Sequence, residues 1–450
     1  MPTRRARTVK GSCWGCRERR VKCDLSSPTC GKCANTSRAC DYSKVRLRWT
    51  DSIASRGRLG GKKIPLYHPP SLQKNHNYDL LYFESELLPR FTLSNIVPRG
   101  LDLVALSRDP ILVQSIVAVG TAHQATRSSQ ADAALSSSKN QDRHSAIRIF
   151  RKNLVGTHTD EVNNSLFLAN VLLCILDGII EQPTTEDSAT HNHILGGKAI
   201  LNHWGGVHRI FQLKNDLPIF MLSIFATMDL THAILIGEEP YLKASSWAEF
   251  GSCNPWWGTV NPNDDFLETM AIFSQLATLG HGVRHLNKTV PIGVLLSAHM
   301  ALRQQARRRT DCKDDKHETL RWASFCSVYR FAASIYLYRA LSGLGVGHLL
   351  VQQAVASCME IIGSTMLTAQ LHHCILFPLL IVGSHCMLEE QRLKVRRSLR
   401  CTARYLSFRS VHSLDCFLGE LWVKMDETPE CRESSWWEYF DEIAKVTCIF

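Results

Sequence analysis

Six cysteines stand at Cys13, Cys16, Cys23, Cys30, Cys33 and Cys40, a spacing of C-x2-C-x6-C-x6-C-x2-C-x6-C. The second three repeat the first at an offset of seventeen residues. Two similar units, each a helix with an extended strip, would therefore supply three thiols each. Thiolates suit tetrahedral zinc, and six of them serve two ions if two sulfurs bridge. Two other uses of these residues fit less well. A disulfide framework needs an oxidising compartment, whereas the chain opens Met1-Pro2-Thr3-Arg4-Arg5-Ala6-Arg7 with no apolar signal core. A four-thiol ribbon would leave Cys23 and Cys40 without a role.

Charge points to the partner. Residues 1–63 carry 17 Lys plus Arg against four acids, a net +13 within a whole-chain charge of +11, so the remainder is −2. Two zinc ions on six thiolates would leave this head at about +11. Such a head attracts phosphate and should release it steeply as salt rises. Within the repeat, Arg17, Arg19, Arg20 and Lys22 correspond to Ala34, Thr36, Ser37 and Ala39. One half reads while the other supports. The short helix after Cys16 is expected to present Arg19 and Arg20 to a major groove, where a guanidinium pairs bidentately with guanine O6 and N7. A solvated basic face serving only nuclear import is the plainer alternative. Import by Arg4, Arg5 and Arg7, or by the run from Arg17 to Lys22, is compatible with DNA contact.

The cysteine spacing, with Pro28 two residues before Cys30, Asp24 after Cys23 and Tyr42 after Cys40, closely resembles the fungal binuclear zinc cluster, Zn2Cys6. The resemblance implies two Zn2+ per chain. One would take Cys13, Cys16, Cys23 and Cys30, and the other Cys13, Cys30, Cys33 and Cys40, with Cys13 and Cys30 bridging. It also implies that Arg19 and Arg20 occupy the family's base-facing basic pair, reading CGG-like triplets of double-stranded DNA. Pro28 matches the loop proline that turns the chain between the halves.

Residues 43–75 hold Lys44, Arg46, Arg48, Arg56, Arg58, Lys62 and Lys63 among glycines and prolines, with no heptad pattern. This reads as a basic linker that follows the phosphate backbone, with Lys44, Arg46 and Arg48 in contact with DNA, the alternative being an ordered strip packed on the helical domain. The stretch from Arg48-Trp49 to Gly61-Lys62 is similar to a linker of the acriflavine sensitivity control subset of the family. Without an a/d repeat, a homodimer would have to form by a route other than an adjacent coiled coil.

The rest of the chain is patterned as helices. Asp109-Pro110 provides a cap and first-turn proline before Ile111, Leu112, Ile116, Val117 and Val119. Apolar faces at helical spacing follow at 147–154, 166–180, 194–204, 219–236, 266–279, 322–341, 351–367, 371–388 and 393–406. Tyr82-Phe83, Ile116 to His123, His144 to Leu154, His193 to Ala199, Phe331 to Tyr338 and Phe377 to Gly383 occur in an order that resembles the fungal-specific transcription factor domain. That resemblance implies an all-helical regulatory body with no catalytic residues. The expected layout is a basic arm over 1–12, a Zn2Cys6 module over 13–42, the linker over 43–75 and an all-α regulatory domain over 76–450.

Other motifs in the body read as structure. His191-Asn192-His193 spells a nuclease tripeptide but sits at a helix start, outside a ββα-metal context. Gly343-Leu344-Gly345-Val346-Gly347 follows a helix and reads as its terminating loop. His372, His373, Cys374, His385 and Cys386 hold no paired metal-ligand spacing. Cysteines 174, 253, 312, 326, 358, 374, 386, 401, 416, 431 and 448 read as buried reduced thiols. Arg307-Arg308-Arg309 beside Asp311, Asp314 and Asp315 reads as a solvated loop. Trp256, Trp257, Trp436 and Trp437 read as core or interface packing. The acids and aromatics from Trp422 to Glu442 read as a closing amphipathic helix. The apolar run 374–383 is short and contains Pro378, while 166–180 contains Asn170 and Asp177, so no membrane span is expected. The function expected is a nuclear, zinc-dependent, non-enzymatic transcription regulator that engages the transcription machinery, a pathway-specific activator of a secondary-metabolite gene cluster by analogy. The alternative is a zinc-stabilised scaffold or repressor without strong sequence readout.

Overall fold

Both halves of the cysteine repeat begin a helix one residue after an extended cysteine. Cys13 (φ −62°, ψ 158°) precedes α1 (Trp14–Arg19), and Cys30 (φ −70°, ψ 147°) precedes α2 (Gly31–Ala34). The seventeen-residue repeat is thus a repeat of helix starts. In the computed structural model the described residues are 12–26, 28–36, 40 and 42, then 76–93, 108–127, 133–156, 159–181, 189–213, 215–251, 253–304, 316–364, 371 and 373–448. The expectations for residues 1–11, for the linker with Lys44, Arg46 and Arg48, for Cys312 and for Arg307 to Asp315 lie outside these residues. The chain divides into two units, Met1–Leu72 and Gln73–Phe450. The buried apolar set of the first consists of Cys13, Cys16, Cys23, Cys30 and Cys33, with Val21 and Cys40 against them. So small a core cannot hold a fold without a further crosslink.

The second unit is built from helices, with no strand among the described residues. α3 (His76–Tyr82) runs into short π and 3-10 turns that end at Phe91. There follow α4 (Pro110–Arg127), α5 (Ala133–Asn153), α6 (Asp160–Ile175) with a π-turn Leu176–Ile180, α7 (Ala189–Trp204), α8 (His208–Gln212) and α9 (Asp216–Ile236). After a 3-10 turn come α10 (Asp265–Leu286), α11 (Ile292–Gln304), α12 (Lys316–Tyr336) with a π-turn Leu337–Leu341, and α13 (Leu349–Gly363). The last are α14 (Leu376–Ser384), α15 (Glu389–Leu406), α16 (Arg409–Glu427) and α17 (Trp436–Val446). Side chains set many of the starts. Asp109 Oδ1 accepts from Ile111 N at 2.9 Å, Asn215 and Asp264 cap α9 and α10, and Ser435 with Glu438 forms a capping box on α17.

α9 is the axis of the core, buried on every side from Pro218 to Leu235. It and the segment Asp160–Ile180 are long and apolar enough to cross a membrane by length and composition, and 94% of each apolar window is buried inside the helical body. Both apolar surfaces are therefore already covered by protein. Asn170 and Asp177 do not interrupt the segment, because each finds a partner. Asn170 Nδ2 donates to His193 O at 2.8 Å, and Asp177 pairs with Arg143 at 2.9 Å and His193 at 3.0 Å.

The pair Gly196-Gly197 has a packing reason. A Cβ on Gly197 would lie 2.4 Å from the Phe225 ring of α9 and 2.9 Å from the Asn170 amide of α6. The helix crossing needs a bare backbone there. Gly197→Ala is expected to destabilise the body by about 1–3 kcal/mol through overpacking, read as a lowered urea midpoint. An unchanged midpoint would mean that Phe225 has room to move.

Three expectations are corrected. The apolar run 371–388 is not one helix: a turn at His373 and Cys374 precedes the helix Leu376–Ser384, because Pro378 fits only within a first turn. The stretch from Trp422 to Glu442 is two helices, α16 and α17, separated by a 3-10 turn that starts at Pro429. Among the described cysteines outside the head, Cys401 and Cys416 are exposed and Cys253 and Cys431 half-buried, so burial holds only for the others. Trp256, Trp257 and Trp436 are buried, with Trp256 Nε1 donating to Thr227 Oγ1 and Trp436 Nε1 to Ile234 O, each at 2.9 Å.

Candidate metal centre and nucleic-acid interface

The head brings its thiols into two sets. The Sγ atoms of Cys13, Cys16, Cys23 and Cys30 all lie within 4.8 Å of one another, as do those of Cys13, Cys30, Cys33 and Cys40. Cys13 and Cys30 belong to both. Their sulfurs are 3.6 Å apart, with Cys13 to Cys33 at 3.6 Å and Cys16 to Cys30 at 3.5 Å. A tetrahedral zinc with Zn–S of about 2.3 Å requires sulfur–sulfur edges of about 3.8 Å. The donor set and its spacing fit two zinc ions. Removal from water pushes the Cys13 thiol up, and that of Cys16 to about 12. A cation between them reverses this cost, because a coordinating thiol is deprotonated outright. These two sets are the groups of three or more metal-ligating side chains found among the described residues.

Side chains outside the repeat hold the halves together. Asp24 Oδ2 accepts from Gly31 N at 2.9 Å, where a Cβ on residue 31 would stand 2.7 Å from the same oxygen. Tyr42 OH donates to Ser26 O at 3.1 Å and lies 3.5 Å from Cys23 Sγ. Backbone N–H groups also point at sulfur, Cys30 N to Cys40 at 3.2 Å and Cys33 N to Cys30 at 3.4 Å. Sequence reasoning matched Asp24 and Tyr42 to a pattern without seeing this bracing.

The basic residues divide by direction. Arg17 is exposed, its guanidinium 5.0 Å from the Trp14 ring, and Lys22 is exposed. Arg20 is exposed and ends α1 in the left-handed region (φ 55°), its N–H bonded to Arg17 O. Arg19 departs from the expectation that it faces a groove beside Arg20. It is half-buried and turned into the cluster, with Nε on Gly15 O (3.1 Å), Nη1 on Thr36 Oγ1 (3.1 Å) and Nη2 on Lys32 O (3.0 Å). A guanidinium has five N–H donors, and the carbonyls, hydroxyl and sulfurs of this cradle use most of them.

His191, His193, His373 and His385 take their partners from within the helical body. His191 Nδ1 lies 3.1 Å from His232 Nε2, and His193 pairs with Asp177, so the tripeptide forms no metal site. His373 stacks on Tyr405, while His385 accepts from the buried Arg339 at 3.2 Å, so these two are held apart by different partners. A groove of about 700 Å³ lies beside α11, lined mainly by Leu295, Leu296, Leu337 and Leu341, with His299 Nδ1 2.8 Å from Tyr338 OH.

A six-thiol centre beside an exposed basic helix, with an all-helical body, defines a metal-stabilised nucleic-acid-binding regulator. The chain matches the fungal specific transcription factor domain over residues 80–448 and the fungal Zn(2)-Cys(6) binuclear cluster domain over residues 11–49. It belongs to this family of fungal Zn2Cys6 transcription factors, which are DNA-binding transcription regulators and not enzymes. The cluster domain binds two zinc ions through six cysteines. Among curated proteins, the chain is similar to Arginine metabolism regulation protein II of Saccharomyces cerevisiae, at 46% identity over 46 residues, 10% of this chain and 5% of that protein. It is also similar to Sterol uptake control protein 2 of the same yeast, at 46% identity over 71 residues, 16% of this chain and 7% of that protein. The matched part spans less than a tenth of either relative's length. No solved structure matches the chain.

Proposed function

We propose that this chain is a sequence-specific regulator of RNA polymerase II transcription that acts in the nucleus and reads CGG-like triplets. Cys13, Cys16, Cys23, Cys30, Cys33 and Cys40 are the zinc ligands, with Cys13 and Cys30 bridging. Arg17, Arg20 and Lys22 face the duplex, and Lys44, Arg46 and Arg48 follow its phosphates. The observation that carries this reading is the pair of four-thiol sets sharing Cys13 and Cys30 directly beside the exposed Arg17, Arg20 and Lys22. The division into an arm (1–12), a cluster (13–42), a linker (43–75) and a regulatory body (76–450) belongs to the same proposal. So does activation of one pathway's genes through the transcription machinery, with a secondary-metabolite gene cluster as the target by analogy with the family. A dimer, where one forms, uses a surface other than a coiled coil after the cluster.

The test is selection of full-length protein on random duplex DNA at near-physiological salt, with and without a zinc chelator. Enrichment of a CGG-like triplet that disappears on chelation is expected. No enrichment by protein carrying two zinc ions would favour the scaffold reading. Arg20→Ala is expected to cost about 1–3 kcal/mol of discrimination at one base position, whereas Lys44→Ala weakens all sequences alike and lowers the salt slope by about 1. Equal losses on selected and random DNA in both variants would remove Arg20 as a reader.

A further inference from the structure

We infer that Arg19 is an internal strap of the zinc cluster rather than a reader of bases, leaving Arg20 as the base-reading member of the adjacent arginine pair. The inference rests on the zinc and DNA reading above and changes the job of one residue within it. Besides its three oxygen partners, the Arg19 Nη2 lies 3.6 Å from Cys33 Sγ and 3.9 Å from Cys16 Sγ. These sulfurs belong to different four-thiol sets and to different helices, α2 and α1. Gly15 and Cys16 lie in the first half of the repeat, and Lys32, Cys33 and Thr36 in the second. One planar cation therefore ties both halves together at the metal centre.

The charge explains why it turns inward. Two Zn2+ on six thiolates leave the cluster at a formal −2, and a guanidinium against two of the sulfurs offsets part of that charge with charge-assisted hydrogen bonds. The geometry also excludes the groove-facing role. Nε is bound to Gly15 O, one Nη1 hydrogen to Thr36 Oγ1, and the two Nη2 hydrogens to Lys32 O and to sulfur. A single N–H remains, while bidentate readout of guanine needs two on one fork. Thr36 is itself fixed, since its hydroxyl donates to Lys32 O at 2.9 Å. Its place in the repeat is opposite Arg19, seventeen residues on, so the asymmetric pair of side chains at one repeat position makes the strap.

The experiment follows zinc leaving the full-length protein into a chromogenic chelator, and in parallel selects random duplex DNA with the zinc-loaded variants. Arg19→Ala is expected to speed zinc loss by roughly ten- to a hundredfold, as removal of an outer-sphere partner does, while the triplet selected by the loaded fraction stays the same. Arg20→Ala is expected to do the reverse, with wild-type zinc retention and a flattened triplet. If Arg19→Ala loads no zinc at all, Arg19→Lys and Thr36→Val decide. Lysine keeps the charge but loses the fork, so both should release zinc faster than wild type and select the same triplet. Wild-type retention in Arg19→Ala or Arg19→Lys, or loss of preference at one base position by a variant that keeps its zinc, overturns the inference. Should the unmodified protein select no triplet, the DNA reading fails, and the zinc-release comparison still judges the strap.

Discussion

Cys30→Ala is expected to remove both zinc ions from the protein, where Cys16→Ala removes one. Cys30 Sγ is a member of both four-thiol sets and lies 3.6 Å from Cys13 Sγ, whereas Cys16 belongs to one set only. Taking away a shared sulfur leaves two sets of three, neither of which closes a tetrahedron of protein ligands. Taking away Cys16 leaves Cys13, Cys30, Cys33 and Cys40 complete. The effect on the head is large because its buried apolar set is made of cysteines. Structural zinc contributes about 10–16 kcal/mol to the folding of comparable peptides, far more than so small a core supplies. DNA binding by Cys30→Ala should therefore fall to the nonspecific level. Counting zinc per chain by native mass spectrometry checks this. Equal loss of a single zinc in Cys13→Ala, Cys30→Ala and Cys16→Ala would contradict the sharing.

Acid should destabilise the helical body well before its carboxylates titrate. His123, His232 and His385 are buried, and removal from water is the first cause that lowers them from 6.5 to about 4, about 3 and about 3. Cations add to this: Arg90 and Arg127 at His123, Lys198 at His232, and Arg339 at His385. Their folded values lie below the unfolded one, so the unfolded chain takes up protons first as pH falls. The stability they support is complete above about pH 6.5 and is lost progressively toward the folded values. By pH 5 each would have cost about 2 kcal/mol, about 6 kcal/mol together, comparable with the whole stability of many domains. Urea midpoints at pH 7.5 and 5.0 read the effect, and His385→Gln should flatten the dependence by one proton. Coincident midpoints would show that these rings protonate in place.

What the sequence disclosed follows from how local each feature is. The six thiols were legible because their spacing repeats once within thirty residues, while their division into two sets sharing Cys13 and Cys30 is what the resemblance to the fungal binuclear cluster implies. The helix start at Pro110 was readable from Asp109-Pro110, a cap and a first-turn proline side by side. Direction was not. Arg19 and Arg20 are neighbours with the same side chain, and only the position of Thr36 and Lys32 across the repeat decides which one turns inward. α11 carried no expectation because Ile292, Val294, Leu296 and Met300 remain exposed in a helix without an apolar face turned wholly inward. α16 was merged with its neighbour because composition from Trp422 onward hides the break at Pro429. Membrane-like composition in α6 and α9 likewise reflects burial on all sides, which no one-dimensional pattern separates from immersion in lipid.

The central helix gives the body a chronology. The indole of Trp436 reaches the carbonyl of Ile234 from 202 positions further on, and the hydroxyl of Thr447 reaches Gly178 from 269 positions on. At a synthesis rate of about 5–20 residues per second, α9 emerges from the ribosome about ten to forty seconds before the segment that completes its cover exists. Through that interval a 21-residue helix buried along almost its whole length must be sheltered by something other than its own sequence. The supply of finished regulator is then governed by the care taken of the nascent chain, as well as by the stability of the fold it reaches.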